Sequence, residues 1–147
     1  MGLITGCFDV VHVGHINLFQ FAKKHVEVLI IGVENDTSVK LSKGKGRPIN
    51  PVKSRLRLLS VLSPVDYVFP IESTYQFSLA DKANSILEDV TRKIMPTAII
   101  TDQKSDRYID AKRARAEKLG IGFITYKRNK SMLSSTSIIR KMEMAIS

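Results

Sequence analysis

The stretch His12-Val13-Gly14-His15 sets two imidazoles on either side of a glycine, just after the loop Gly6-Cys7-Phe8-Asp9. A short apolar run, Leu3-Ile4-Thr5, breaks at Gly6, and apolar residues resume at helical spacing through Ile16, Leu18, Phe19, Phe21 and Ala22. That pattern predicts a strand, a loop and a helix, with both histidines in the first helical turn. Unpaired N–H groups at a helix N-terminus attract phosphate, and imidazoles there add donors. Gly14 has no side chain to keep a ligand away. The chemistry expected is phosphate handling, at the position where open α/β sheets take their ligands. Two surface histidines beside a turn would show the same spacing. Zinc fits it poorly: His25 is the only other histidine and Cys7 the only cysteine, which leaves no ligand cluster and no disulfide framework. Cys7 reads as a small residue lining the loop.

The elements that position this loop follow from the switching period of the apolar residues. Residues 26–33 form a continuous run of the buried-strand type. Asn35 and Asp36 are placed to cap a short helix running to about residue 41, and residues 42–50 are a basic, glycine-containing loop too polar for a core. Asn50-Pro51 predicts a helix start, with a capping side chain followed by proline at the first helical position. Its inward face is Val52, Leu56, Leu59 and Leu62, and Pro64 ends it. Strands are predicted over 66–71, 97–101 and 121–126, and helices over 79–94 and 108–119. The second of these reads as an exposed basic helix stopped by Gly120. A final helix starts at Ser134 or Ser135 and runs to 144. Strands alternating with helices of these lengths predict an α/β fold, a Rossmann-like, doubly wound parallel sheet of five strands with helices on both faces. We read residues 1–147 as one domain.

Composition narrows the partners. The 147 residues are 44% hydrophobic and 25% charged, the balance of a soluble globular protein. Neither a membrane-length apolar stretch nor a signal-peptide pattern occurs, so a cytoplasmic protein without a membrane partner is expected. The net charge of +9 favours polyanions: nucleotides, phosphorylated metabolites or nucleic acid. Lys40, Lys43, Lys45, Arg47, Lys53, Arg55 and Arg57 follow one another with no acid between them, and Lys127, Arg128 and Lys130 precede the last helix. Some of these are ordinary solvated side chains; the rest can converge on one cleft.

Taken in order, the motifs resemble the nucleotidyltransferases that share a histidine-x-glycine-histidine signature, among them cytidylyltransferases, pantetheine-phosphate adenylyltransferases and sugar-phosphate adenylyltransferases. The resemblance spans the chain. It rests on Gly6-Cys7-Phe8-Asp9-x-x-His12-x-Gly14-His15, on the basic stretch leading from Lys43 to Arg55, and on Arg128 with Ser134-Ser135-Thr136-Ser137. Residues 35–40 and 43–51, with Val65-Asp66-Tyr67-Val68, are most similar to the adenylyl-transfer domain of bacterial ADP-heptose synthase, which acts on heptose 1-phosphate in lipopolysaccharide core synthesis. Glycerol-3-phosphate cytidylyltransferases and archaeal FAD synthetases are the nearest alternatives. The chain departs from the heptose group at Thr101-Asp102-Gln103, which replaces a glycine-glycine-aspartate turn, and at Lys130-Ser131.

The resemblance implies attack by a sugar-phosphate oxygen on the α-phosphate of ATP or CTP, with release of pyrophosphate. A phosphate nucleophile is already ionised, so positioning and charge stabilisation carry the reaction. On this reading His12, His15 and Lys43 are catalytic. Cys7, Phe8, Gly14 and both histidines hold the nucleotide, with Asp102 meeting ribose or base unless it merely caps the next turn. Arg128, Ser134, Ser135 and Thr136 hold the β- and γ-phosphates. Lys43, Arg55 and Asp9 are expected at the acceptor phosphate, Asp9 with the alternative of fixing its own loop. Mg²⁺ is expected to arrive with the triphosphate, with no protein metal site. Relatives of this kind are often dimers, so a homodimer is also implied. The non-enzymatic alternative is a basic nucleic-acid-binding module. Aromatic residues are only 7% with no tryptophan, and the basic stretch contains no stacking side chain, which argues against it. A class I aminoacyl-tRNA synthetase fragment would need a further RNA-binding domain, and a nucleotide sensor without turnover would show the same motifs.

Overall fold

The computed structural model describes residues 1–76, 78, 80–127 and 135–146. Its elements are β1 (Gly2–Gly6), α1 (Val13–Lys23), β2 (Leu29–Glu34), α2 (Asp36–Lys43), α3 (Val52–Ser60), β3 (Tyr67–Ile71), α4 (Ala80–Ile94), β4 (Ala98–Asp102), α5 (Ile109–Leu119), β5 (Gly122–Tyr126) and α6 (Ser135–Ile146). The five strands form one parallel sheet in the order β3-β2-β1-β4-β5. Ile4 lies opposite Ile31 and Leu3 opposite Ile99, so β1 is central. The chain order reverses between β1 and β4. This reversal opens a crevice at the C-terminal edge of the strands, where the loop carrying the histidines emerges.

Alternation along the strands covers the sheet on both faces. Ile4, Ile31, Val33 and Ile100 pack with Leu18, Phe19 and Ala22 of α1 and Leu59 of α3. The other side of β3 turns Phe69 and Ile71 toward Tyr75 and the α4 residues Ala83 and Leu87. The local signals predicted most ends to within a residue or two. Asn35 caps α2 by accepting the Ser38 N–H at 2.8 Å, and its amide donates to the Ile71 carbonyl at 3.0 Å, tying α2 to the end of β3.

Two expectations need correction. Asn50 does not cap α3: Pro51 holds the cap position without a side-chain bond, and the first helical N–H, from Val52, donates to Asp36 at 2.8 Å. The cap comes from the end of a different helix, which no spacing within residues 50–60 reveals. Helix α5 is not simply exposed, because Lys112, Arg115 and Ala116 are buried against the sheet and α4.

Gly120 ends α5 in the left-handed region, φ +66, where its N–H closes on Ala116 and Glu117, and a Cβ there would meet nothing within 4 Å. Gly120→Ala therefore adds backbone strain without a clash, about 1 kcal/mol. Thermal denaturation should show a midpoint lowered by about 2–4 °C.

Candidate active site

The loop between β1 and α1 is shaped by its own side chains. Phe8 adopts φ +50, a left-handed conformation that costs a non-glycine residue energy. Its ring is buried over Gly6, where a Cβ would stand 3.1 Å from it, and packs edge-on to His15 at 5.3 Å. His12 is the N-cap of α1 and His15 the third helical residue. The Gly14 N–H donates to His12 Nδ1 at 3.1 Å, and the His12 N–H donates to His15 Nδ1 at 3.3 Å. A backbone N–H can only donate, so Nδ1 is the lone-pair nitrogen of both rings and the ring proton lies on Nε2. The rings lie 4.0 Å apart, tilted by 31°. Helix capping thus fixes the tautomer and the aim of both imidazoles together.

Cys7 stands at the loop entrance. Burial pushes its thiol up against the opposing Lys43 charge, which makes it a lining group rather than a thiolate nucleophile. Lys43, exposed as the last residue of α2, is the strongest single charge acting on both Cys7 and Glu34. Asp102 ends β4, and its carboxylate accepts the Lys104 N–H at 2.9 Å and the Ser105 N–H at 3.3 Å. The turn-capping alternative describes these contacts. Arg128 and Ser134 lie outside the described residues, as do the side chains of Ser135 and Thr136.

Two residues expected at the acceptor phosphate are held elsewhere. Arg55 is 1% exposed, and its guanidinium donates to the Cys7 carbonyl at 2.5 Å, to Asp36 at 2.6 Å and to the Asn50 carbonyl at 2.9 Å. It joins the histidine loop, α2 and the start of α3 from beneath. Asp9 is 2% exposed; it takes Arg47 Nε at 2.6 Å and the Asn50 N–H at 2.9 Å. Burial raises the Asp9 carboxyl, but the Asn50 and Ile49 amides and the Arg47 guanidinium outweigh it and hold the group below the ordinary aspartate range. Asp9 thus ties the histidine loop to the Arg47–Asn50 segment.

The motif reading missed a buried layer beneath the site. Glu34, 6% exposed, closes β2 with its carboxyl pushed up by burial, and Lys43, Lys112 and Arg55 oppose that shift. Tyr75, in the loop after β3, has its hydroxyl pushed up by burial and by the nearby Glu34. Lys112 reaches from α5 into the β1–β4 crevice, donating to the Thr5 carbonyl at 3.2 Å and pairing with Asp106 at 2.6 Å. The available signal for Glu34 was an acid terminating an otherwise apolar run. Lys112 falls four residues before the buried Ala116, on one helical face.

Two predictions follow from this layer. Arg55→Lys leaves one ammonium where three guanidinium bonds stood, so it should cost about 1.5–3 kcal/mol of stability by denaturant titration. A phosphate ligand at Arg55 would instead show as weaker substrate binding at unchanged stability. Glu34 has a raised carboxyl in the folded chain, so between the ordinary glutamate range and that raised value the folded chain holds a proton the unfolded chain has lost. Its contribution to stability falls as pH rises through this window. Glu34→Gln has no such slope: its melting temperature should match wild type below the ordinary glutamate range and exceed it increasingly as pH rises through the window above that range.

Comparison with known proteins agrees with this architecture. A family profile described as cytidylyltransferase-like matches residues 3–142. The bifunctional protein HldE of Sulfurimonas denitrificans is 46% identical over 75 residues, 51% of this chain and 16% of that protein. HldE of Desulfatibacillum aliphaticivorans is 34% identical over 140 residues, 94% of this chain and 26% of that protein. The chain thus spans about a quarter or less of the length of these relatives. Among solved structures, the lipopolysaccharide core biosynthesis protein from Thermoplasma volcanium superimposes with a TM-score of 0.62 at 25% identity, covering 88% of this chain and 97% of that one. A pantoate-β-alanine ligase from Francisella tularensis, at 16% identity and a TM-score of 0.62, covers 99% of this chain and 70% of that one and shares the fold. With a profile that runs through nearly every element described above, the chain belongs to the cytidylyltransferase-like family.

Proposed function

We propose that this chain is a nucleotidyltransferase that moves the NMP group of a nucleoside triphosphate, ATP in preference to CTP, onto a sugar phosphate, heptose 1-phosphate, releasing pyrophosphate. The observation that carries this reading is the paired capping of α1, which aligns two Nε2–H donors at a helix N-terminus in the crevice between β1 and β4. The similarity to HldE proteins and to a lipopolysaccharide core biosynthesis protein supports the choice of acceptor.

The sugar-phosphate oxygen attacks the α-phosphorus in line, and the bond to the β-phosphate oxygen breaks. No general base is required, because the nucleophile arrives ionised. Charge grows on the non-bridging α-phosphate oxygens and on the leaving pyrophosphate. His12 and His15 donate from Nε2 to those oxygens, and the α1 N-terminus adds its positive dipole end. Lys43 supplies a mobile cation from the acceptor side. Donors already held in place need no reorganisation as charge develops. Among the described residues no group of three or more histidine, cysteine, aspartate or glutamate side chains gathers to hold a metal. On this reading Mg²⁺ arrives on nucleotide oxygens and water, and when bound it would neutralise pyrophosphate. The turn that holds Asp102, with Arg128, Ser134, Ser135 and Thr136, is assigned to the nucleotide on the strength of the family resemblance.

Pyrophosphate release by the purified chain with Mg²⁺ tests this, with ATP and CTP crossed against heptose 1-phosphate, glycerol 3-phosphate and FMN. Release with ATP and heptose 1-phosphate alone is the expected result. Release with another pair keeps the transfer and replaces the acceptor, and silence across the panel without calorimetric triphosphate binding overturns the reading. His15→Ala should lower turnover about 100-fold or more while nucleotide affinity changes far less. Equal losses in both would make His15 a binding group only.

A further inference from the structure

Arg47 lies in the loop between α2 and α3, a segment in which Gly44 and Gly46 take φ +91 and +84 and a Cβ at either would meet nothing within 4 Å. The arginine is nevertheless mostly buried, its side chain 16% exposed, because it is anchored on Asp9. An arginine and a carboxylate normally meet through two parallel bonds, Nε and one Nη to the two oxygens. Here only the first of those bonds forms. Asp9 Oδ2 takes Arg47 Nε at 2.6 Å, but Oδ1 is taken by the Asn50 N–H at 2.9 Å, while Asn50 Nδ2 donates to the Asp9 carbonyl at 2.6 Å. Arg47 Nη2 is left shielded from solvent and without an acceptor among the described residues. A buried donor in that state is costly to keep. Asp9 belongs to the loop that leads into His12, the cap of α1, so Arg47 is tied to the segment that presents the imidazoles, and phosphate oxygens are the acceptors proposed for them.

We propose that Arg47 is a phosphate-binding residue, its Nη2 donating to a phosphate oxygen of a bound substrate while Asp9 holds the rest of the guanidinium in place. It supplies the arginine contact that the buried Arg55 cannot make. This inference rests on the proposed nucleotidyl transfer.

The test is Arg47→Lys in the full chain, with KM for ATP, KM for the sugar phosphate, kcat and the thermal midpoint measured together. Lysine keeps the charge and can pair with Asp9, but it has no second arm. The expected result is a rise of about tenfold or more in the KM of one substrate, with the other KM and the thermal midpoint unchanged. A rise for the sugar phosphate assigns Nη2 to the acceptor, and a rise for ATP assigns it to the triphosphate; either supports the proposal. Both KM values within about twofold of wild type overturn it, as does a parallel loss of affinity and thermal midpoint, which would make Arg47 a loop anchor only. If the variant does not fold, the wild-type chain decides by NMR of the Arg47 guanidinium protons during titration with inorganic pyrophosphate and with the sugar phosphate. Their shift and protection from exchange on saturation support the contact, and invariance with both overturns it. Should the wild-type chain release no pyrophosphate with any pair, the functional reading fails on its own, and the same titration still decides whether Arg47 meets phosphate.

Discussion

The guanidinium of Arg55 holds the head of this structure together. A charge shut away from solvent must be answered by partners, and removing any one of them leaves the others facing a desolvated cation. Arg55 finds three: the Cys7 carbonyl in the histidine loop, Asp36 at the start of α2, and the Asn50 carbonyl just before α3. Asp36 in turn receives the first N–H of α3. The loop that presents the histidines, the helix that ends in Lys43 and the helix that follows the basic loop are thereby held to one another. The aim of the imidazoles is local, set by capping, but where that cap sits relative to Lys43 depends on this buried cation.

Around that centre the acids divide the cations into two kinds. Asp9, Asp36 and Asp106 each take a cation at 2.6 Å, holding Arg47, Arg55 and Lys112 inside the fold. Lys43 stays exposed above Glu34 and Cys7. A frame assembled this way keeps its buried cations paired, while Lys43 stays at the surface of a chain whose net charge is +9. Glu34 is the exception, a buried acid whose carboxyl is pushed up by burial against the charges of Lys43, Lys112 and Arg55.

The fold was legible wherever the determinant is local. Apolar runs marked the strands, Asn35 marked the start of α2, and Gly120 marked the end of α5. The histidine pair was legible for the same reason, since its hydrogen bonds span only two and three residues. The cation cluster was not. Seven basic residues in a row look equivalent, and the family resemblance points Arg55 at a phosphate although it shares a helical face with Val52 and Leu59. That position on an apolar stripe was the available sign that it points inward. Lys112 and Ala116 repeat the pattern in α5, and Glu34 at the end of an apolar strand is its counterpart in the sheet.

By itself the sequence determined the α/β class, the strand–loop–helix that carries His12 and His15, and the excess of positive charge, because each depends on residues within one or two turns of one another. Only the tertiary structure decided which cations face the cleft and which hold it up. Arg55 meets Cys7 across 48 positions and Asp36 across 19, and Arg47 meets Asp9 across 38. Pairings over such distances follow from the strand order and from the cost of leaving a buried charge unanswered, and neither is encoded in the spacing of any one segment.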